Sequence, residues 1–175
     1  YDAVVSGVKS LIDRYDFIDK DRIALNGHSW GGYQIAFLVT RTNMFKAAVS
    51  GAPVVNMTSA YGGIRWESGK SRMFQYEQTQ SRIGGTLWDK PAEFIRNSPL
   101  FFLPQVQTPV LIMHNDKDGS VMWEQGIEFF MALRRLDKPV WLFNYKGEGH
   151  HLKKWENRLD YSRRVMEFYD YYLKD

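Results

Sequence analysis

The sequence predicts an α/β domain built on a parallel sheet, and three observations carry that expectation. Short β-prone runs alternate with segments whose apolar residues recur at helical spacing. One of those runs, Pro-Val-Leu-Ile-Met-His at 109–114, is apolar almost without a break, as strands buried on both faces are. The length of 175 residues, with 44% apolar and 25% charged residues, suits one hydrophobic core and argues against disorder or low complexity.

Along the chain, Val4, Val5, Val8, Leu11, Ile12 and Tyr15 fall on one side of a helix over 2–15. The turn-like Asp19-Lys20-Asp21 precedes a first strand at 22–26, bounded by Gly27, and a Gly-rich turn opens into a helix over 33–40 that is apolar all round. Further strands are expected at 47–50, 109–114 and 140–145. Between the last two, Met122, Phe129, Phe130, Leu133 and Leu136 mark a helix that Asp137-Lys138-Pro139 stops. A final helix carries Leu159, Ser162, Met166, Tyr169 and Leu173 on its stripe. Residues 56–108 break the rhythm: Gly62-Gly63, Gly84-Gly85 and Ser98-Pro99 stand among aromatics with no clean period, so short helices in an excursion from the sheet are expected there. No repeat, linker or charge block divides 1–175, which reads as one domain or part of one.

Composition excludes several function classes. The 23 basic and 20 acidic side chains leave a net charge of +3. The pairs Arg134-Arg135, Lys153-Lys154 and Arg163-Arg164 are interleaved with Asp and Glu, as on solvated helix faces, so no nucleic-acid partner is expected. No apolar run approaches the ~20 residues that span a bilayer, so no membrane partner is expected either. The start, Tyr1-Asp2-Ala3, lacks the basic and apolar regions of a signal peptide. The absence of cysteine rules out disulfides, thiolate metal sites and cysteine nucleophiles, and leaves cytoplasmic and periplasmic or secreted locations equally open.

The chemistry concentrates in Gly27-His28-Ser29-Trp30-Gly31-Gly32. A Gly-x-Ser-x-Gly match alone says little, since chance supplies one in about 7% of chains of this composition. Its context says more: a β-prone run ends at the first glycine and a helix starts after the last, which is where a serine becomes exposed on a sharp strand-to-helix turn. The Trp30 N–H, at the start of that helix, is placed to stabilise an oxyanion. A serine nucleophile needs a base, and the base an orienting carboxylate. The third strand runs into His114-Asn115-Asp116-Lys117-Asp118-Gly119, which offers two carboxylates, and the fourth into Lys146-Gly147-Glu148-Gly149-His150-His151, which offers two imidazoles. All three turns then lie on one rim of the sheet, where α/β sites form. On this evidence Asp116 and Asp118 remain alternatives, as do His150 and His151. His28 reads as structural, since neighbours on a tight turn project differently, and His114 as a hydrogen-bonded rim residue. Tyr61, Trp66, Phe74 and Trp88 line a groove or simply pack a core. The histidine pairs show no metal-ligand spacing and no H-E-x-x-H occurs, so no metal is implied.

These motifs, together with Gly51-Ala52-Pro53-Val54, Asn97-Ser98-Pro99, Asp118-Gly119-Ser120-Val121, Ala132-Leu133-Arg134-Arg135 and Lys138-Pro139-Val140, resemble in sequence and order the catalytic domain of prolyl oligopeptidase family serine peptidases. The resemblance extends over nearly the whole chain. It implies an α/β-hydrolase fold, here the C-terminal half of one, with about four parallel strands and flanking helices. Ser29 is then the nucleophile, Asp118 the acid, His150 the base, Trp30 the oxyanion donor, and Val54, Met57 and Tyr61 the substrate-binding positions. No cofactor is implied, and the substrate is a short peptide. Trp30 stands where dipeptidyl peptidases carry tyrosine, and Val54, Met57 and Ala60 stand near the places of the proline-pocket aromatics, so a strict post-proline preference is not implied. The implied partners are the upstream half of the same catalytic domain, with a second oxyanion donor, and a β-propeller; homo-oligomerisation is compatible with both. The isolated segment is then expected to be inactive, with strand 22–26 as a bare edge. An esterase on the same scaffold and a non-catalytic interaction module are the alternative functions.

Overall fold

The computed structural model describes residues 1–174. Helix α1 (Asp2–Arg14) is followed by strand β1 (Ala24–His28), helix α2 (Trp30–Val39) and strand β2 (Ala47–Gly51). After the excursion come strand β5 (Val110–Met113), helix α5 (Glu124–Arg135), strand β6 (Val140–Phe143) and helix α6 (Trp155–Leu173). The four strands form one parallel sheet in the order β1-β2-β5-β6, with Ala24 beside Ala47, Gly51 beside Met113 and Val110 beside Val140. The fold is the expected α/β arrangement.

Alternation along the strands divides the core into two faces. Ala48, Val110, Ile112 and Val140 point to one face, where Ile35, Ala36 and Val39 of α2 and Phe129 and Leu133 of α5 cover them. Ala47, Val49 and Leu111 point to the other, beneath Phe168 of α6. The central strands β2 and β5 are buried at every residue, which is why β5 reads as an unbroken apolar run and the one polar side chain of β2, Ser50, donates its hydroxyl to Gly32 O at 2.9 Å.

The excursion builds its own small core from Val54, Met57, Ala60, Tyr61, Tyr76, Phe94 and Val121. It contains short helices α3 (Met57–Tyr61) and α4 (Pro91–Arg96), a π-turn at Gln75–Thr79 and a 3₁₀ helix at Pro99–Gln105. It also contains an antiparallel hairpin of β3 (Ile64–Arg65) and β4 (Lys70–Ser71), two residues per strand and too short to leave a period in the sequence. Asn56 caps α3 by accepting from Thr58 N and Ser59 N at 3.1 and 3.4 Å, which satisfies two otherwise orphaned donors.

Several elements differ from the sequence reading: β6 ends at Phe143, two residues short of the expected 140–145, and Met122 lies before α5 and packs on the excursion core. Strand β1 reaches His28 instead of stopping before Gly27, because β2 pairs with it as far as Gly51. Helix α2 starts at Trp30, three residues early. The buried face of α6 is Tyr161, Val165, Phe168, Tyr169 and Tyr172, whereas Leu159 and Met166 of the expected stripe are exposed. A helix with aromatic residues all round offers more than one apolar stripe, and the sheet selects the aromatic one. Among the described residues no helix is long and apolar enough to cross a membrane.

Candidate active site

The serine sits at the junction of β1 and α2. Ser29 has φ 59° and ψ −116°, a left-handed conformation that a side chain adopts only under constraint, and its N–H donates to Gly51 O at 2.7 Å. Two glycines make the turn feasible. A Cβ on Gly27 would lie 2.7 Å from Gly31 O, and one on Gly32 would run into the Gly51 carbonyl. The backbone of α2 therefore approaches β2 as closely as bare glycine permits. Trp30 is the first residue of α2, whose leading N–H groups have no carbonyl partner one turn back, and its ring stacks on Tyr33 at 4.6 Å.

The acid and the imidazole reach this serine from the two later turns. His150 Nε2 lies 2.8 Å from Ser29 Oγ, and His150 Nδ1 lies 2.8 Å from Asp118 Oδ2. Asp118 is buried, and its Oδ1 accepts from Ser120 N and Val121 N at 2.8 Å each. Burial opposes its charge, but hydrogen bonds from His114, His150 and the Val121 N–H outweigh that and hold the carboxyl well below the usual range. A carboxylate fixed in this way demands a proton on His150 Nδ1, which leaves Nε2 as an acceptor for the serine hydroxyl.

Asp116 and His151 are not part of this chain of contacts. Asp116 Oδ1 accepts from Gly147 N at 2.8 Å, and Asn115 Nδ2 donates to Gly149 O at 2.8 Å, so both residues lash the β5 turn to the β6 turn. His151 is exposed beside the pair, its ring 4.9 Å from that of His150. Val54, Met57 and Tyr61 are buried at 2%, 1% and 2% exposure. They present no surface to solvent and form the inner layer on which Trp30 and Met122 rest.

Several residues support this arrangement; His114 and His28 read as structural in the sequence, whereas Glu148 and Arg72 carry no signal there. His114 is fully buried, with Nε2 3.3 Å from Asp118 Oδ2 and 3.2 Å from Val121 O. Both neighbours are acceptors, so Nε2 carries the proton. The only hint is a His-Asp spacing of four across a strand-end turn. Glu148 accepts from Lys153 N, Lys154 N and Asn157 Nδ2 at 2.9, 3.0 and 2.7 Å, tying the histidine turn to the start of α6. Arg72 is buried and donates from Nη1 to Ser120 O, which brackets the acid turn from the excursion side. His28, at the end of β1, turns its ring toward His150 and His151 at 4.8 and 4.7 Å. Desolvation, reinforced by those two imidazoles, pushes its pKa down to about 4 and keeps it neutral near pH 7. Sequence separates His28 from the adjacent His150 and His151; folding brings one ring nitrogen of each within 4.8 Å of the other two.

A serine on a strand-to-helix elbow, with an acid and a histidine on successive strand-end turns of a parallel sheet, defines the α/β-hydrolase class. Within that class the chain belongs to the prolyl oligopeptidase family, whose model matches residues 1–175. It is 31% identical over 158 residues to an uncharacterized peptidase, YuxL, of Bacillus subtilis, covering 88% of this chain and 22% of that protein. It is 30% identical over 152 residues to the acylamino-acid-releasing enzyme of Homo sapiens, covering 83% and 20%. The solved acylaminoacyl peptidase of Pyrococcus horikoshii shares the fold with a TM-score of 0.84 at 22% identity, over 99% of this chain and 28% of that one. The chain thus spans about a fifth of the length of the curated relatives it matches.

Proposed function

We propose that this chain supplies the triad of a serine peptidase that hydrolyses short peptides through an acyl-enzyme. Ser29 Oγ attacks the scissile carbonyl while His150 Nε2 takes its proton, and Asp118 holds the imidazole in the required tautomer and stabilises the imidazolium. The Trp30 N–H donates to the oxyanion as charge develops. His150 then returns the proton to the leaving amine, and water deacylates the serine by the same route in reverse order. Val54, Met57 and Tyr61 back the acyl pocket through Trp30. The upstream half of the domain and a β-propeller are the expected partners within the protein, in keeping with the fifth of its relatives' length that the chain spans.

The observation that carries this reading is the unbroken relay from Ser29 Oγ through His150 to Asp118, with both contacts at 2.8 Å. An ester substrate would use the same groups, but the Bacillus subtilis relative and the Pyrococcus horikoshii neighbour are named as peptidases, which favours the amide. The test is labelling of the intact protein with a fluorophosphonate probe, followed by turnover of a short peptide amide. Labelling that vanishes in Ser29→Ala, with amide hydrolysis, is expected. A protein that takes no Ser29-dependent label would be a non-catalytic module, and one that cleaves an acyl ester but no amide would be an esterase.

A further inference from the structure

We propose that His28, His150 and His151 form an inhibitory site for a divalent cation of borderline softness, Zn²⁺ being the probe of choice, which switches the triad off by taking over the lone pair of its base. The inference rests on the triad reading only for its consequence, inhibition; the site itself stands on the three imidazoles.

One candidate ligand nitrogen from each residue lies within 4.8 Å of the other two. Tetrahedral zinc with bonds of about 2.0–2.1 Å needs nitrogens roughly 3.3 Å apart, so the cluster must contract by about 1.5 Å. That contraction is a side-chain movement. His150 is held by Asp118, so it falls to the rings of His28, whose Nε2 has no well-formed hydrogen bond among the described residues, and of His151, which is exposed. Three histidines with a fourth position open to solvent are a zinc donor set, and the absence of cysteine biases the site toward metals that accept imidazole.

Two further features point the same way. His28 Nε2 is buried and has no well-formed hydrogen bond among the described residues, although a buried ring nitrogen normally finds a partner. His150 is already arranged as a zinc-binding histidine is: one nitrogen donates to a carboxylate, Asp118, which fixes the tautomer and raises the basicity of the other. The group that makes His150 a base therefore also makes it a ligand. The cluster borders a cavity of ≈390 Å³ lined in part by His28, His151, Met113 and Arg158, which gives an ion a route from solvent. Arg158 is the one cation among those four, and its Nε is engaged by Leu152 O at 2.7 Å.

The exchange is simple in its balance. The Nε2 lone pair of His150, which accepts from Ser29 Oγ–H, is donated to Zn²⁺; the serine keeps its proton, the Asp118 contact persists, and no electron is transferred. With its base occupied, Ser29 cannot be deprotonated, and activity falls in proportion to occupancy.

The experiment is a zinc titration of the intact, chelator-treated protein in a non-coordinating buffer, read by calorimetry on Ser29→Ala and by peptide-amide turnover on the wild type. One Zn²⁺ per chain with micromolar affinity is expected. His151→Gln should weaken binding by at least about tenfold and raise the half-inhibiting zinc concentration by the same factor, while its metal-free turnover stays at the wild-type value. His28→Gln should weaken binding to a similar extent in calorimetry. Zinc affinity that is unchanged in His151→Gln, or absent below millimolar concentration, overturns the proposal. Because calorimetry on Ser29→Ala needs no turnover, a protein that cleaves no amide yet loses zinc binding in His151→Gln would uphold the site and sink the peptidase reading alone.

Discussion

The two sides of the triad are held by different means. The serine side is made of backbone: a left-handed Ser29, a strand that runs straight into it, and glycines at 27 and 32 where any Cβ would strike a neighbouring carbonyl. The acid and histidine side is made of side chains. Asn115 and Asp116 tie the β5 turn to the β6 turn, Glu148 ties the β6 turn to α6, and His114 holds Asp118 from behind. A backbone device has no slack, so one added atom changes everything about it. A network of hydrogen bonds distributes its task, so most single removals cost little, and the exception is the residue where the bonds converge.

That convergence sets the largest expected effect. In Asp118→Asn the amide can no longer hold the proton on His150 Nδ1, and kcat/KM for a peptide amide should fall about 10³- to 10⁴-fold. Asp116→Asn keeps the oxygen that accepts from Gly147 N and should stay within about threefold of wild type. Steady-state kinetics on the two variants checks the pair. Equal losses would mean that the turn-to-turn lashing matters as much as the acid, and the contrast between convergent and distributed positions would collapse.

The serine side should fail by unfolding before it fails by chemistry. A methyl group at Gly32 meets the Gly51 carbonyl, a backbone atom that cannot rotate away, so Gly32→Ala should destabilise the protein by about 3 kcal/mol. Gly31→Ala, one residue earlier, meets nothing within 4 Å and should be nearly neutral. Denaturant unfolding of the two neighbours measures the difference directly. A neutral Gly32→Ala would show that the α2 and β2 backbones have room to part.

How much of this was legible beforehand follows the same division. The backbone features are local in sequence: strand, Gly-x-Ser-x-Gly and helix occupy one stretch of about twenty residues, and the apolar run of β5 announces its burial without reference to anything else. The turns that carry Asp118 and His150 are readable because each follows such a strand. The supporting network is not local. Nothing in the sequence around Glu148 says that its carboxylate will cap α6, and nothing around His114 says that Asp118 will fold back over it. His28 is separated from His150 by more than a hundred residues, so their proximity exists only once the sheet has assembled. The β3–β4 hairpin and the choice of face on α6 escape for another reason: two-residue strands and an aromatic-rich helix leave no periodicity that singles out one answer.

His114 tests the distributed side at a contact made directly to the carboxylate of Asp118. Its Nε2–H, shared between Asp118 Oδ2 and Val121 O, touches the carboxylate from within the core, so on the proposed mechanism a positioning role is expected of it. A hydrogen bond to a charged group is worth about 1.5–3 kcal/mol when removed, which corresponds to a loss of about 10- to 150-fold in kcat for His114→Leu. KM should hold, and His114→Gln, whose amide nitrogen can reach the place of Nε2, should recover most of the rate. A loss in both variants with a matching drop in stability would assign His114 to packing alone.

The smallest effect is expected where the two sides meet the excursion. Tyr33, on α2 beneath the Trp30 ring, donates its hydroxyl to Asn97 O at 3.1 Å, and desolvation raises its pKa from 10 to about 12. The unfolded chain releases this proton near pH 10 and the folded protein only near pH 12. Between those values the folded state binds more protons than the unfolded one, so the Tyr33 contribution is complete below pH 10 and is lost as pH rises toward 12. The displacement is worth at most about 2.7 kcal/mol, and partial exposure of the ring brings it to the order of 1 kcal/mol. At neutral pH both states hold the proton, and loss of the hydrogen bond to Asn97 O should make Tyr33→Phe less stable than wild type by about 1 kcal/mol. That gap should close as the alkaline range is entered, since the wild type loses there what the variant never had. Unfolding midpoints at pH 8 and above pH 10 measure it; a gap that stays constant would mean that the Tyr33 hydroxyl ionises alike in the folded and the unfolded chain.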